Sequence, residues 1–259
     1  MRARSARPTP LAPACPPARC FCPGDRAAAA SELANSIKAG GITSLINSGA
    51  LAALQSGVED KDAGAREGAL LAVAAVAERV GRPAEPYLMP LLGPVLNALA
   101  DKAAPVRAAA QQAQVALETL LNPYGIAAVL PTLFDAMLAQ KWQTNEGACK
   151  MLAALTERAP RQVAVCLPDI VPKVTEAMGN ARPAVKDAAV DAMTKCMFVV
   201  GNRDIEAFIP ILVNCLQNPS NVPDTVHKLA GTTFVQTVEA PTLSIMVGAR
   251  ACVRLGGAC

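Results

Sequence analysis

Apolar residues recur along the chain at helical spacing. Between Pro105 and Leu121 the positions Val106, Ala109, Ala110, Ala113, Ala116, Leu117 and Leu120 form an i, i+3, i+4, i+7 stripe. This predicts one amphipathic helix with proline in its first turn, and because the stripe is made of small and branched residues, a neighbouring helix can come close. The preceding segment, Pro86 to Ala100, reads as a second helix joined to it by the turn Asp101-Lys102-Ala103-Ala104. The same pattern predicts helix pairs near 48–80, 86–121, 126–158, 162–200 and 204–239. A helical segment around Ala28 to Ile46 precedes them, and a sixth pair starts at Pro241 with Thr-Leu-Ser-Ile-Met.

The pairs repeat. An apolar residue followed by a basic one marks the start of the second helix at Ala65-Arg66, Val106-Arg107, Val185-Lys186 and Val226-His227, and Thr144-Asn145 fills the gap in the series. Successive second members lie 41, 38, 41 and 41 residues apart. A period near 40 belongs to HEAT and armadillo arrays. Prolines give an independent register: Pro90, Pro168 and Pro210 fall 17 or 18 residues before the marker, and Pro94, Pro131 and Pro172 fall 13 or 14 before it. They lie in the first helix of each pair, where proline kinks the chain. The expected fold is therefore an all-α, HEAT-like α-solenoid of about five helix pairs in a right-handed superhelix. Proline-bearing A helices are expected on its convex side and B helices on its concave side. Solenoids are normally closed by polar capping repeats, so an unfinished sixth pair is expected to leave apolar surface bare and to favour self-association.

Composition sharpens this picture. Hydrophobic residues make up 52% of the 259 and aromatics only 3%, which disfavours sheet. The longest apolar run, Ala69 to Ala77, is far below the roughly 18 residues that cross a bilayer, so no membrane association is expected. Of the net charge of +3, residues 1–26 contribute +4 and residues 248–259 contribute +2, which leaves the middle at −3. A strongly basic nucleic-acid footprint is missing from the folded part as a whole, although a local basic ridge survives such averaging. Three regions are expected: a disordered Arg/Pro-rich leader over 1–27, a repeat array over 28–247 and a tail of different character over 248–259. The prolines Pro8, Pro10, Pro13, Pro16 and Pro17 oppose the amphipathic helix of a transit peptide.

Nine cysteines raise the question of zinc or disulfides, but the chain has one histidine, His227, and no C-x-x-C spacing. Cys149, Cys166, Cys196 and Cys215 fall in apolar helical patterns, where a reduced thiol acts as a small hydrophobe. That usage fits a reducing, cytoplasmic setting, and no metal is expected. His227 has no Cys or His near it in sequence to complete a catalytic constellation, so no catalytic residue is expected.

Several strings resemble a known family. Asn202-Arg-Asp-Ile-Glu-Ala-Phe-Ile-Pro, Val222-Pro-Asp-Thr-Val-His, Thr232-Thr-Phe-Val and Pro241-Thr-Leu-Ser-Ile-Met-Val resemble the N-terminal HEAT domain of fungal-type translation elongation factor 3, as do Lys141-Trp-Gln and Glu85-Pro-Tyr. The resemblance runs from about Ala28 to Val247. The HEAT region of a ribosome-associated activator of the amino-acid starvation kinase pathway is the nearest rival, followed by a generic HEAT adaptor such as a transport or tubulin-binding scaffold. The resemblance implies a cytosolic factor that helps release deacylated tRNA, with the ribosome (rRNA and ribosomal proteins) and other translation factors as partners. It also implies ATP use by tandem ABC domains. A Walker A loop needs G-x-x-x-x-G-K-[ST], and no Gly-Lys dipeptide occurs here. The chain is therefore expected to be the docking arm alone, with no enzymatic activity, no cofactor and no small-molecule substrate.

Two sets of residues are candidates for function. Asp60 with Arg66, Asp101 with Arg107 and Asn180 with Lys186 are each six residues apart across an A–B turn. They suggest a structural ladder in which each basic group meets an acid of the neighbouring turn. Lys61, Lys102 and Lys141, in the same turns, are candidates for a basic row that contacts phosphate. Trp142, the single tryptophan, could stack on a base or anchor a partner, or pack in the core with its polar tip outward.

Overall fold

The computed structural model describes residues 23–217, 221–231 and 239–255. The leader expected over 1–27 therefore lies mostly outside the described residues, as do 232–238 and the last four positions. All regular structure among the described residues is helical. The first repeats comprise α1 (Pro23–Gly40), α2 (Ile42–Asn47), α3 (Ala50–Val58), α4 (Ala63–Val80), α5 (Glu85–Leu88), α6 (Leu92–Ala98) and α7 (Ala104–Leu120). They are followed by α8 (Ile126–Met137), α9 (Trp142–Arg158), α10 (Pro160–Met178), α11 (Pro183–Phe198), α12 (Arg203–Glu206), α13 (Ile209–Gln217), α14 (Val222–Ala230) and α15 (Ala240–Leu255).

The B helices are α4, α7, α9, α11 and α14, and α1 packs against α4 as another of the same kind. Side chains about one period apart meet along this stack. Arg26 pairs with Glu67 at 2.9 Å and Arg79 with Asn35 at 2.6 Å, so α1 and α4 run parallel. The roughly 40-residue repeat in the sequence is thus the spacing of physical contact. Alanines set the distance: Ala30 and Ala34 of α1 and Ala65, Ala69, Ala72 and Ala77 of α4 are buried, and α1, α4 and α7 pack along most of their lengths. α9 and α11 do the same. Between α7 and α9 the close packing lapses. There the helices are bridged by Gln114 Nε2, which donates to the Gly147 carbonyl at 3.1 Å, and by Arg158, which donates to the carbonyls of Glu118 and Thr119.

Helix ends follow local chemistry. The Asp62 side chain accepts the Ala65 N–H at 3.0 Å and so caps α4. α4 stops at Gly81, whose φ of 71° favours glycine, and the Gly81 N–H returns to the Ala77 carbonyl. Prolines act unequally in the A helices. Pro131 in α8 and Pro168 and Pro172 in α10 are carried inside continuous helices. In contrast, Pro83, Pro86, Pro90 and Pro94 break residues 82–98 into 3-10 turns and the short α5 and α6. The single helix expected over 86–100 is therefore a chain of short pieces, because each proline lacks the N–H that the helix needs and crowds the carbonyl four residues before it.

Both boundaries differ from expectation. α1 begins at Pro23, and Arg26, counted with the leader in sequence, is buried and ion-paired. α15 runs through Gly248 to Leu255, where a change of character was expected. α15 packs on α10 and α13 with Thr242 and Ile245 buried, while Leu243 and Val247 stay exposed.

Candidate functional site

The A–B turns share one geometry. The backbone carbonyls of Asp62, Ala103, Lys141 and Arg182 accept the N–H groups of Arg66, Arg107, Asn145 and Lys186 at 3.0–3.3 Å, which fixes a common register for the four turns. In that register Lys61 and Lys102 sit one residue before the cap position and Lys141 sits on it. Gln140 is the third-turn counterpart of Lys61 and Lys102. The expected lysine row is therefore staggered, and the cation that matches Lys141 in the next turn is Arg182. Sequence reading passed over Arg182 because the Lys-containing turns were aligned by residue type rather than by distance to the marker.

Arg66 joins successive turns. Its Nε and Nη2 donate to the two carboxylate oxygens of Asp101 at 2.8 and 3.0 Å, and Nη1 donates to the carbonyls of Asp60 and Lys61 at 2.8 and 2.9 Å. Arg107 repeats the inner half of this arrangement, with Nη1 donating to the carbonyls of Asp101 and Lys102 at 2.9 and 3.0 Å. The next turn offers Arg107 no carboxylate, since Ala139 stands at the position that Asp101 holds in its own turn. The six-residue pairs thus act through backbone carbonyls rather than through the Asp60 and Asp101 side chains. The Lys186 side chain has no hydrogen bond or ion pair among the described residues, and the Asn180 side chain instead accepts the Arg182 N–H at 3.0 Å.

Electrostatics along the edge are graded. Burial alone would raise the Asp101 carboxyl. The Arg66 hydrogen bonds, the Ala103 N–H and the nearby charges of Arg66 and Lys141 outweigh it and hold the group below its ordinary 3.8. Lys61 is exposed among the exposed Glu59, Asp60 and Asp62, so the first turn is acidic overall. Further along, Lys102, Lys141 and Arg182 are all exposed. Glu146 is engaged by Lys150 at 2.6 Å, and among the described residues of the third and fourth turns Asp187 is the exposed carboxylate. The edge is thus acidic at α4 and cationic from α7 to α11.

Trp142 is half-buried at the start of α9, and the Arg182 guanidinium carbon lies 5.8 Å from its ring centroid. That is within cation–π range. The tryptophan therefore neither disappears into the core nor stands free; it meets the cation of the neighbouring repeat.

Other chemistry is sparse. Cys149, Cys196 and Cys215 are buried thiols. Burial, with a smaller push from Glu146, raises Cys149 to about 12, and burial raises Cys196 to about 11 against the Thr156 hydrogen bond that lowers it. No group of three or more metal-ligating side chains is found among the described residues. No described helix is long and apolar enough to cross a membrane.

A family model described as EF3 N-terminal HEAT repeat matches residues 26–193, and one described as Elongation factor 3/GNC1 HEAT repeat matches residues 220–249. Elongation factor 3 of Phytophthora infestans is 47% identical over 194 residues, 74% of this chain and 19% of its own length. The eIF-2-alpha kinase activator GCN1 of Dictyostelium discoideum is 34% identical over 225 residues, 86% of this chain and 8% of its own. The chain spans about a fifth of the length of the elongation factor it matches. Among solved structures, the TOG domain of C. elegans Zyg9 superposes with a TM-score of 0.55 at 13% identity, covering 83% of this chain and 79% of that one. That likeness shows a shared helical solenoid and nothing of function. With well over half of its length matched by one model, the chain belongs to the EF3 N-terminal HEAT repeat family.

Proposed function

We propose that this chain is a ribosome-binding HEAT arm of the elongation factor 3 type, acting in the cytoplasm by docking and without hydrolysing ATP. Family membership is the observation that carries the reading. The turn edge supports it: Lys102, Lys141 and Arg182 are exposed in three successive turns, and cations along one edge can contact a phosphate backbone and release its counterions. The ribosome offers such backbone, and no cofactor is needed to bind it. Co-sedimentation with ribosomes tests the proposal. Binding is expected to weaken as salt rises, and the triple change Lys102→Glu, Lys141→Glu, Arg182→Glu is expected to weaken it at least tenfold with helical content unchanged. Lys61→Glu, in the acidic first turn, is expected to do little. No binding at any salt concentration would favour a generic protein adaptor.

The likeness to the eIF-2-alpha kinase activator over 86% of the chain favours a second reading, a HEAT region of that activator type. Transcript sequence beyond the codon for Cys259 separates the two. An in-frame G-x-x-x-x-G-K-[ST] loop supports the elongation factor, and continued HEAT repeats support the activator.

A further inference from the structure

We propose that Trp142 and Arg182 form a stacking site for an unpaired RNA base, with Lys141 and Lys186 contacting the phosphates on either side; this rests on the reading of the turn edge as ribosome-facing. The two residues come from successive repeats and are held together at 5.8 Å, ring centroid to guanidinium carbon. Trp142 keeps part of its surface exposed, and Arg182 is exposed. The guanidinium lies over the indole ring, and the outer side of this layered pair, on the exposed Arg182, is the kind of flat cationic platform on which a nucleobase stacks without regard to sequence. Among the four turns in common register, the residue at the Trp142 position is Ala63 in the first, Ala104 in the second and Pro183 in the fourth, so the aromatic platform is confined to one place. The exposed Gln140 and the half-buried Asn180 lie in the same two turns and offer hydrogen-bonding groups to a base edge. An RNA duplex keeps its bases inside the stack and could use only the cations. An acidic peptide could use the cations but has no flat π face to lay on this platform.

Because Trp142 is the single tryptophan in the chain, its emission reports on the site directly. The full chain is titrated with a short single-stranded oligoadenylate, an RNA duplex of equal length and a glutamate-rich peptide. Saturable quenching by the single strand is expected, with weaker binding of the duplex and the peptide. With a dye-labelled strand, Trp142→Leu and Arg182→Ala are each expected to lower affinity about tenfold, and Trp142→Phe to retain most of it, at unchanged circular dichroism. Equal affinity for strand and duplex, preference for the peptide, or wild-type affinity in Trp142→Leu overturns the stacking site. Ribosome co-sedimentation of the same proteins separates the two levels. Intact ribosome binding without strand preference removes the stacking site alone, whereas loss of all ribosome binding by the wild-type chain removes the reading beneath it.

Discussion

At the scale of single residues, two carboxylates of α7 and its turn carry opposite pH signatures. Asp101 is held below its ordinary 3.8 by Arg66, against burial. Its contribution to stability is therefore complete above that value and disappears as pH falls through the folded-state pKa. Asp101→Asn is expected to cost about 1–3 kcal/mol at neutral pH and progressively less below pH ~4, read from urea unfolding at several pH values. Glu118 is the reverse case. Burial, helped by Glu157 and opposed by Arg158, raises its pKa above 4.5, so the folded state prefers the protonated form and loses stability as pH rises through that region. Glu118→Gln is expected to move the urea midpoint upward at pH 7 and to leave it unchanged in acid. Thiol chemistry follows burial in the same way. Cys166 is only half-buried, whereas Cys149, Cys196 and Cys215 are enclosed; peptide mapping after native alkylation is expected to find Cys166 labelled ahead of these three.

At the scale of helices, small residues decide how near two elements come. A methyl added to Gly57 in α3 would lie 2.8 Å from the Ala69 methyl of α4, which has no rotamer by which to yield. Gly57→Ala is therefore expected to destabilise by about 1–3 kcal/mol through overpacking, despite a helix-propensity gain of up to about 1 kcal/mol. Ala69→Gly in the same protein is expected to restore part of the loss, as thermal unfolding of the double variant will read. Much of the element pattern was legible beforehand. The marker steps of about 40 residues, the alanine stripe of α7 and the proline register all describe local chemistry that the fold keeps. The fragmentation of 82–98 was harder to read, because the same residue that breaks α5 from α6 is tolerated inside α8 and α10. That outcome depends on four prolines falling close together. The site was legible in parts only. Arg66 was read as a ladder residue that meets an acid of the neighbouring turn, and Asp101, 35 positions away, lies against it; its further bonds to the carbonyls of its own turn were not foreseen. Arg182 and its approach to Trp142 depend likewise on how neighbouring repeats stack.

At the scale of the whole array, the B-helix stack holds two closely packed runs, α1 with α4 and α7, and α9 with α11, which share one core but meet at a sparser seam crossed by polar bridges. Arg158→Ala removes the donors to the Glu118 and Thr119 carbonyls. It is expected to raise amide exchange in the last turns of α7 and α9 while leaving α4 protected, as mass-resolved hydrogen exchange will show. The seam also has a mechanical meaning. A stack bends most readily where its B helices touch least, even when one hydrophobic core runs through both halves, as it does here. A load on the cationic turns, where Lys141, Trp142 and Arg182 lie, is therefore expected to bend the array first between α7 and α9, beside the Gln114 and Arg158 bridges.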